Sequence, residues 1–253
     1  MSRIASIHSF RGGTGKSNVS ANISAQAAIA GKRVAVVDTD IQSPGIHVLC
    51  GFGQDIPGNT LNDYLYGQCA IVDAAHDVTE QVGITGGGGG QMFLVPSSMK
   101  AGDIAKVLRQ GYDVEVLNDG FRDLIQGLDL DLLVIDTHPG LNEETLLSIT
   151  ISDVLLLLMR PDKQDYQGTA VTIDVARRLE VPDLVVLLNK VPEGVPLDGL
   201  IQQVSETYDA DVLGALPLSD EVASNASGSL FSLTRPDHPW SQTVISVAHR
   251  VMG

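Results

Sequence analysis

The chain has 253 residues, 43% of them apolar and 19% charged, and a formal charge of −15. That length suits one large α/β domain, and no apolar run approaches the ~18 residues of a membrane-spanning helix. The acidic excess is spread along both halves with no run of lysine or arginine, which speaks against a DNA-binding surface and leaves at most peripheral contact with a membrane.

Apolar runs alternate with longer segments of helical period, the pattern of a parallel sheet with crossover helices. The N-terminus carries Arg3 and enters the first run directly, without a signal-peptide pattern. Strands are predicted at residues 4–9, 34–38, 92–95, 132–136, 154–159, 184–189 and 212–217. Several are continuously apolar, as strands covered on both faces should be. Helices are predicted at 17–30, 114–126, 164–179 and 197–208, the first closed by Gly31 in a left-handed C-cap. Residues 41–90 form a long connection with Pro44, Pro57, a short helical piece near 61–66 and five glycines at 86–90, which read as a floppy hairpin-like loop. Near the C-terminus, Trp240, Val244, Val247 and Val251 line one helical face and read as core packing. No linker divides the chain, so a single domain is expected. Cys50 and Cys69 form no Cys-x-x-Cys pair, so reduced thiols in the cytoplasm are expected, without a disulfide framework or zinc site.

Between the first strand and the first helix lies Phe10-Arg11-Gly12-Gly13-Thr14-Gly15-Lys16-Ser17. Glycines let several backbone N–H groups converge on one anion, and the helix that follows adds its positive end. A lysine closing such a loop reaches the β- and γ-phosphates, and the next hydroxyl can ligate Mg²⁺. The ordinary P-loop has a glycine where this chain has Phe10. Two strands then end in carboxylates: the second in Asp38-Thr39-Asp40, the fourth in Asp136. Ligands of open parallel sheets bind outside the carboxyl ends of strands, so these groups can hold Mg²⁺ water or position the water that attacks a phosphate. Asp38 is open to a second reading, as a cap of its strand. Asn189 closes another strand and should face the base. The charged segment 160–169 reads equally as solvated loop or as a partner surface.

The glycine-rich run resembles the deviant Walker A box of the MinD/ParA ATPases, Lys-Gly-Gly-x-x-Lys-Ser/Thr. The resemblance extends to about residue 235 and implies a single doubly wound, mostly parallel sheet with helices on both faces. It implies a phosphate cradle from Gly12, Gly13, Thr14, Gly15, Lys16, Ser17 and Asn18, with ATP and Mg²⁺ as cofactors. Asp40 corresponds to the water-positioning switch I aspartate. Asp136 and Gly140 fit the switch II pattern Asp-x-x-x-Gly, with His138 replacing a small residue. Ser17, Asp40 and Asp136 are the expected metal ligands, and Lys16, Asp40 and Arg11 the catalytic set. Residues 214–220, with Pro217, resemble the adenine-facing loop. Guanine-specific relatives carry an aspartate where this chain has Pro192, so adenine is favoured. The family's signature lysine reaches across a dimer interface to the partner's nucleotide; here Arg11 stands in its place, keeping charge but not shape. The implied function is a slow, homodimerising switch ATPase that controls a protein partner. A membrane-bound division regulator and a ligase or synthetase of related fold are the alternatives. Relatives that carry iron–sulfur clusters use paired cysteines, so no iron–sulfur cluster is expected here.

Overall fold

The computed structural model describes residues 2–85 and 88–253. The chain begins β1 (Arg3–His8), α1 (Lys16–Ile29), β2 (Arg33–Asp38), α2 (Ile46–Leu49), α3 (Leu61–Leu65), a 3₁₀ turn (Ile71–Ala74), β3 (His76–Asp77) and β4 (Gln91–Val95). It continues through α4 (Ala101–Gln110), α5 (Val114–Gly127), β5 (Leu132–Asp136), α6 (Glu143–Thr150), β6 (Val154–Met159) and α7 (Lys163–Arg178). The last elements are β7 (Leu184–Val191), α8 (Leu197–Tyr208), β8 (Asp211–Pro217), α9 (Asp220–Ser224), α10 (Phe231–Thr234) and α11 (Pro239–Met252).

The strands form one eight-stranded sheet in the order β3-β4-β2-β5-β1-β6-β7-β8. Only the two-residue β3 is antiparallel to its neighbour. Alternating side chains along each strand feed opposite faces. Val34 and Val36 of β2, with Leu132 and Val134 of β5, pack against α1 and α11. Ala35, Val37, Leu133 and Ile135 pack beneath α5 on the other face. Leu155, Leu157 and Met159 of β6 join α7 and α8 in a third cluster on that same side. Trp240, Val244, Val247 and Val251 of α11 all lie in the α1-side core, as their spacing suggests. Among the described residues, no helix is long and apolar enough to cross a membrane.

Two of the longer helices, α4 and α6, were not predicted, nor were the short α2, α9 and α10. None of α4's residues is buried, so its pattern carried little core signal. The polyglycine reading also needs correction. Gly86 and Gly87 lie outside the described residues, but the stretch that follows is no free hairpin. Gly90 runs so close to the end of α1 that a Cβ there would overlap Ala28 O and sit 2.8 Å from Lys32 O. The next residue, Gln91, donates its N–H to Lys32 O at 3.0 Å and starts β4. Glycine here allows backbone to meet backbone where a helix ends and two strands begin. Gly90→Ala should therefore cost about 1–3 kcal/mol, since the obstructing atoms are main chain and cannot rotate away. Urea unfolding checks this; an unchanged midpoint would show that the contact gives way.

Candidate functional site

β1 lies between β5 and β6, and the chain turns sharply as it leaves that strand. Gly13 (φ +74°) and Gly15 (φ +98°) adopt left-handed backbone that favours glycine. A Cβ at position 15 would also stand 2.5 Å from the Asn189 amide nitrogen. The turn is braced through its oxygens. Asn189 Nδ2 donates to Thr14 O at 2.7 Å, and Lys190 Nζ donates to Gly13 O at 2.8 Å. Thr14 Oγ1 donates to Ser9 Oγ, which donates to Arg11 O. With the carbonyls so engaged, the loop amides remain. The start of α1 has no side-chain cap and no acid in its first turn. Among the described residues no protein acceptor meets the N–H groups of residues 12–18. Orphan donors at a helix N-terminus, with Lys16 in the first turn, suit an anion such as phosphate.

Facing this positive end are buried carboxyls. Strand alternation turns Asp38 and Asp136 toward α1, and the two are paired in register on adjacent strands. Asp38 accepts from Gly45 N (2.9 Å), Ile46 N (3.2 Å) and Asp40 N (3.2 Å), folding the 39–45 loop onto its own strand end. That supports the capping reading of Asp38. Asp136 accepts from Ser20 Oγ at 3.0 Å, while its Oδ2, like Asp40 Oδ1, is buried without a partner. Burial pushes all three carboxyls above the ordinary carboxylate range. For Asp38 the neighbouring Asp136 raises it further. For Asp136, Lys16 and the Ser17 and Ser20 hydroxyls oppose the rise. Orphaned carboxylate oxygens beside a serine hydroxyl are the donor set of a hard divalent cation, which takes one or two carboxylates and completes its shell with phosphate and water. Ser17, Asp136 and Asp40 therefore fit Mg²⁺.

The remaining expected residues are placed as follows. Asn18 sits in the first turn of α1, where Asn22 Nδ2 donates to its main-chain and side-chain oxygens. Gly140 (φ +85°) donates its N–H to Ser9 O at 3.3 Å, tying the segment after β5 to the loop. Pro217 ends β8 beside Val191, on the same edge as Asn189. Asn189 braces the glycine-rich loop: its amide NH₂ donates to Thr14 O, and its Oδ1 accepts from Lys190 N. Arg11 folds back onto its own chain, Nε 2.7 Å from Asp165 Oδ1 and Nη2 3.2 Å from Asp162 Oδ2. Segment 160–169 is thus its seat.

Four residues were missed or undervalued. His138 is not a free loop side chain; its Nε2 lies 3.8 Å from Asp40 Oδ1 and its Nδ1–H donates to Pro139 O. His8 is fully buried, hydrogen-bonded to Thr137 Oγ1 at 2.7 Å, and driven down to a pKa of about 3 by burial, then by Lys16 and His138. Period-two alternation in β1 could have placed it opposite Ile7. Lys190 and Asp165 act through contacts spanning well over a hundred residues of sequence, which no local pattern discloses.

A family model described as the CobQ/CobB/MinD/ParA nucleotide-binding domain matches residues 5–231. The chain belongs to this family. An uncharacterised ATP-binding protein of Methanocaldococcus jannaschii is 27% identical over 98% of this chain and 86% of its own length. The MinD protein of Pyrococcus horikoshii, solved with Mg-ADP, superposes with a TM-score of 0.80 at 22% identity, covering 99% of this chain and 96% of that one. At that identity the likeness shows the fold, the doubly wound sheet inferred from the sequence. An iron–sulfur cluster carrier protein of Saccharolobus solfataricus is 26% identical over 96% of this chain and 81% of its own length. Proteins of the same name from Deinococcus radiodurans, Pyrococcus furiosus and Aquifex aeolicus also match. These relatives overturn the exclusion of iron–sulfur clusters. Cysteine spacing within one chain was too narrow a basis for it.

Asp38 gives a pH test. Its folded pKa is raised, so its share of stability is full below the unfolded value, near pH 4, and is lost as pH rises through the folded value. Without metal or nucleotide, the parent should lose stability relative to Asp38→Asn by about 1.4 kcal/mol per pH unit between about pH 5 and pH 7. Urea unfolding at each pH measures the difference. A constant difference would mean that Asp38 is already ionised in the fold.

Proposed function

We propose that this chain is an Mg-ATP-dependent switch ATPase that dimerises around bound nucleotide and hydrolyses it slowly. The observation that carries the reading is the meeting of orphaned donors at the start of α1 with orphaned carboxylate oxygens at the ends of β2 and β5. Family membership supports nucleotide binding in general.

In this reading the amides of residues 12–18 and the Lys16 ammonium hold the phosphates and stabilise charge as it develops on the transferring phosphoryl group. Ser17 and Asp136, with Asp40, would hold Mg²⁺, which would neutralise phosphate charge when bound. Asp40 orients the attacking water, with His138 Nε2 3.8 Å from its Oδ1. Water adds to the γ-phosphorus, the bond to the β-phosphate bridging oxygen breaks, and ADP and phosphate leave. Positioning and electrostatics supply the acceleration. Gly140, whose N–H bonds Ser9 O at 3.3 Å, supplies an amide that a γ-phosphate competes for. ATP and ADP states then differ in the segments around residues 40 and 140, and a protein partner reads that difference.

Two variants test the assignment. Lys16→Ala should abolish ATP binding in titration calorimetry while circular dichroism reports an intact fold; undiminished affinity would refute the phosphate role of the loop. Asp40→Ala should still bind ATP, because Lys16 and the loop amides remain, but turn over about a hundredfold more slowly. Turnover at the parent rate removes Asp40 from water positioning.

A further inference from the structure

The ring of His138 is held from one side. Its Nδ1–H donates to Pro139 O at 2.7 Å. A carbonyl oxygen only accepts, so the hydrogen belongs to Nδ1 and the neutral ring keeps its lone pair on Nε2. The main chain beside the ring is fixed as well. His138 O accepts from Thr145 Oγ1 at 3.2 Å. The preceding Thr137 donates both its N–H and its hydroxyl to Ile7 O, at 3.2 and 3.0 Å. Nε2 is thereby set 3.8 Å from Asp40 Oδ1, and the two side chains are only 21% and 13% exposed.

Asp40 Oδ1 is buried without a hydrogen-bond partner. His138 does not supply one. Their 3.8 Å separation exceeds an N–H···O bond of about 2.7–3.2 Å, and a lone pair faces the oxygen. Two acceptors therefore look at each other across a gap. A water that donates one O–H to each, at about 2.8 Å, needs its acceptors about 4 Å apart. Such a water has both hydrogens engaged, and its oxygen lone pairs are left for an electrophile. The gap also lies on the phosphate side of the sheet. His138 stands midway between Asp136 and Gly140, the two residues of its segment given above to the cation and the γ-phosphate.

We propose that His138 is a second acceptor for the attacking water, so that Asp40 Oδ1 and His138 Nε2 take its two hydrogens and turn its oxygen toward the γ-phosphorus. The inference rests on the ATP-hydrolysing reading above and adds a catalytic residue to it. A carboxylate has two oxygens, so this use of Oδ1 leaves Oδ2 for the cation. As the water oxygen bonds to phosphorus, the bond to the β-phosphate bridging oxygen breaks. One hydrogen stays on the new P–OH and the other passes to a phosphate oxygen. ADP and dihydrogen phosphate leave, and both side chains end as they began. A single acceptor lets a water swing about one O–H bond, whereas two acceptors fix its plane. The MinD/ParA pattern has a small residue at position 138, so the second acceptor is this chain's own.

Two substitutions and two readouts decide it. His138→Leu removes the acceptor at similar size, and His138→Gln keeps an acceptor at similar reach. In steady-state assays with Mg-ATP, kcat should fall about tenfold in His138→Leu and stay within about threefold of the parent in His138→Gln, with KM unchanged in both. In the Asp40→Ala background the effect of His138→Leu should shrink below about threefold, because that water has already lost one of its holds. Titration calorimetry reads the same contact without turnover. ADP with Mg²⁺ and aluminium fluoride, a mimic of the transferring phosphoryl with its in-line water, should bind His138→Leu about tenfold more weakly, while a non-hydrolysable ATP analogue binds as it does to the parent. Parent-like turnover in His138→Leu overturns the proposal. So does an equal loss in the Leu and Gln variants, which marks a structural role, or an equal weakening of both nucleotide complexes, which marks a ligand to the cation. A parent that binds ATP without hydrolysing it sinks the ATPase reading and this proposal together; a parent that hydrolyses ATP no faster than His138→Leu sinks the second acceptor alone.

Discussion

At the carboxyl end of the sheet, carboxyl groups from two adjacent strands are buried within the field of one lysine. Strand order brings β2 and β5 together, and side-chain alternation turns Asp38 and Asp136 to the same face. Burial there is affordable to the fold only because three responses are available. Asp38 takes up backbone N–H groups of the following loop. Asp136 takes up a hydroxyl from α1. The remaining charge is suppressed by raised pKa values, leaving oxygens without partners. Each response leaves the site electrostatically incomplete in a way that an Mg²⁺-bound polyphosphate would complete.

The loops around this end of the sheet are tethered by hydrogen bonds. The loop after β2 hangs on Asp38, and the segment after β5 hangs on Ser9 O through Gly140 and on His8 through Thr137. The glycine-rich loop itself is gripped by Asn189 and Lys190 from β7. Chain segments far apart in sequence thus meet at backbone groups of residues 9–15. The tethers are single hydrogen bonds of ordinary strength.

The sheet was legible because its strands are buried on both faces, and continuous apolar runs such as 132–136 and 154–159 leave little room for another reading. The glycine-rich turn was legible for a different reason: its chemistry is main-chain and local, so spacing alone carries it. α4 was lost because it buries none of its residues. The glycines before β4 misled because entropy was weighed without the close approach of Gly90 to α1. In the site, side chains whose role lies in a bond to a distant backbone atom escaped. The strand-end position of Asn189 did not disclose that its amide braces Thr14. The seat for Arg11 involves residues about 150 positions away, and only folding brings them together.

Arg11 and the acidic start of α7 belong together. A guanidinium is planar and extended, so Nη2 donates to Asp162 while Nε lies 2.7 Å from Asp165. An ammonium is a point charge and satisfies one such geometry at a time. Arg160 adds a second guanidinium, bonded to Asp165 through main chain and side chain together. Substituting lysine at position 11 would keep the charge while loosening the two-point contact, so the identity of residue 11 sets how firmly the glycine-rich loop rests on α7.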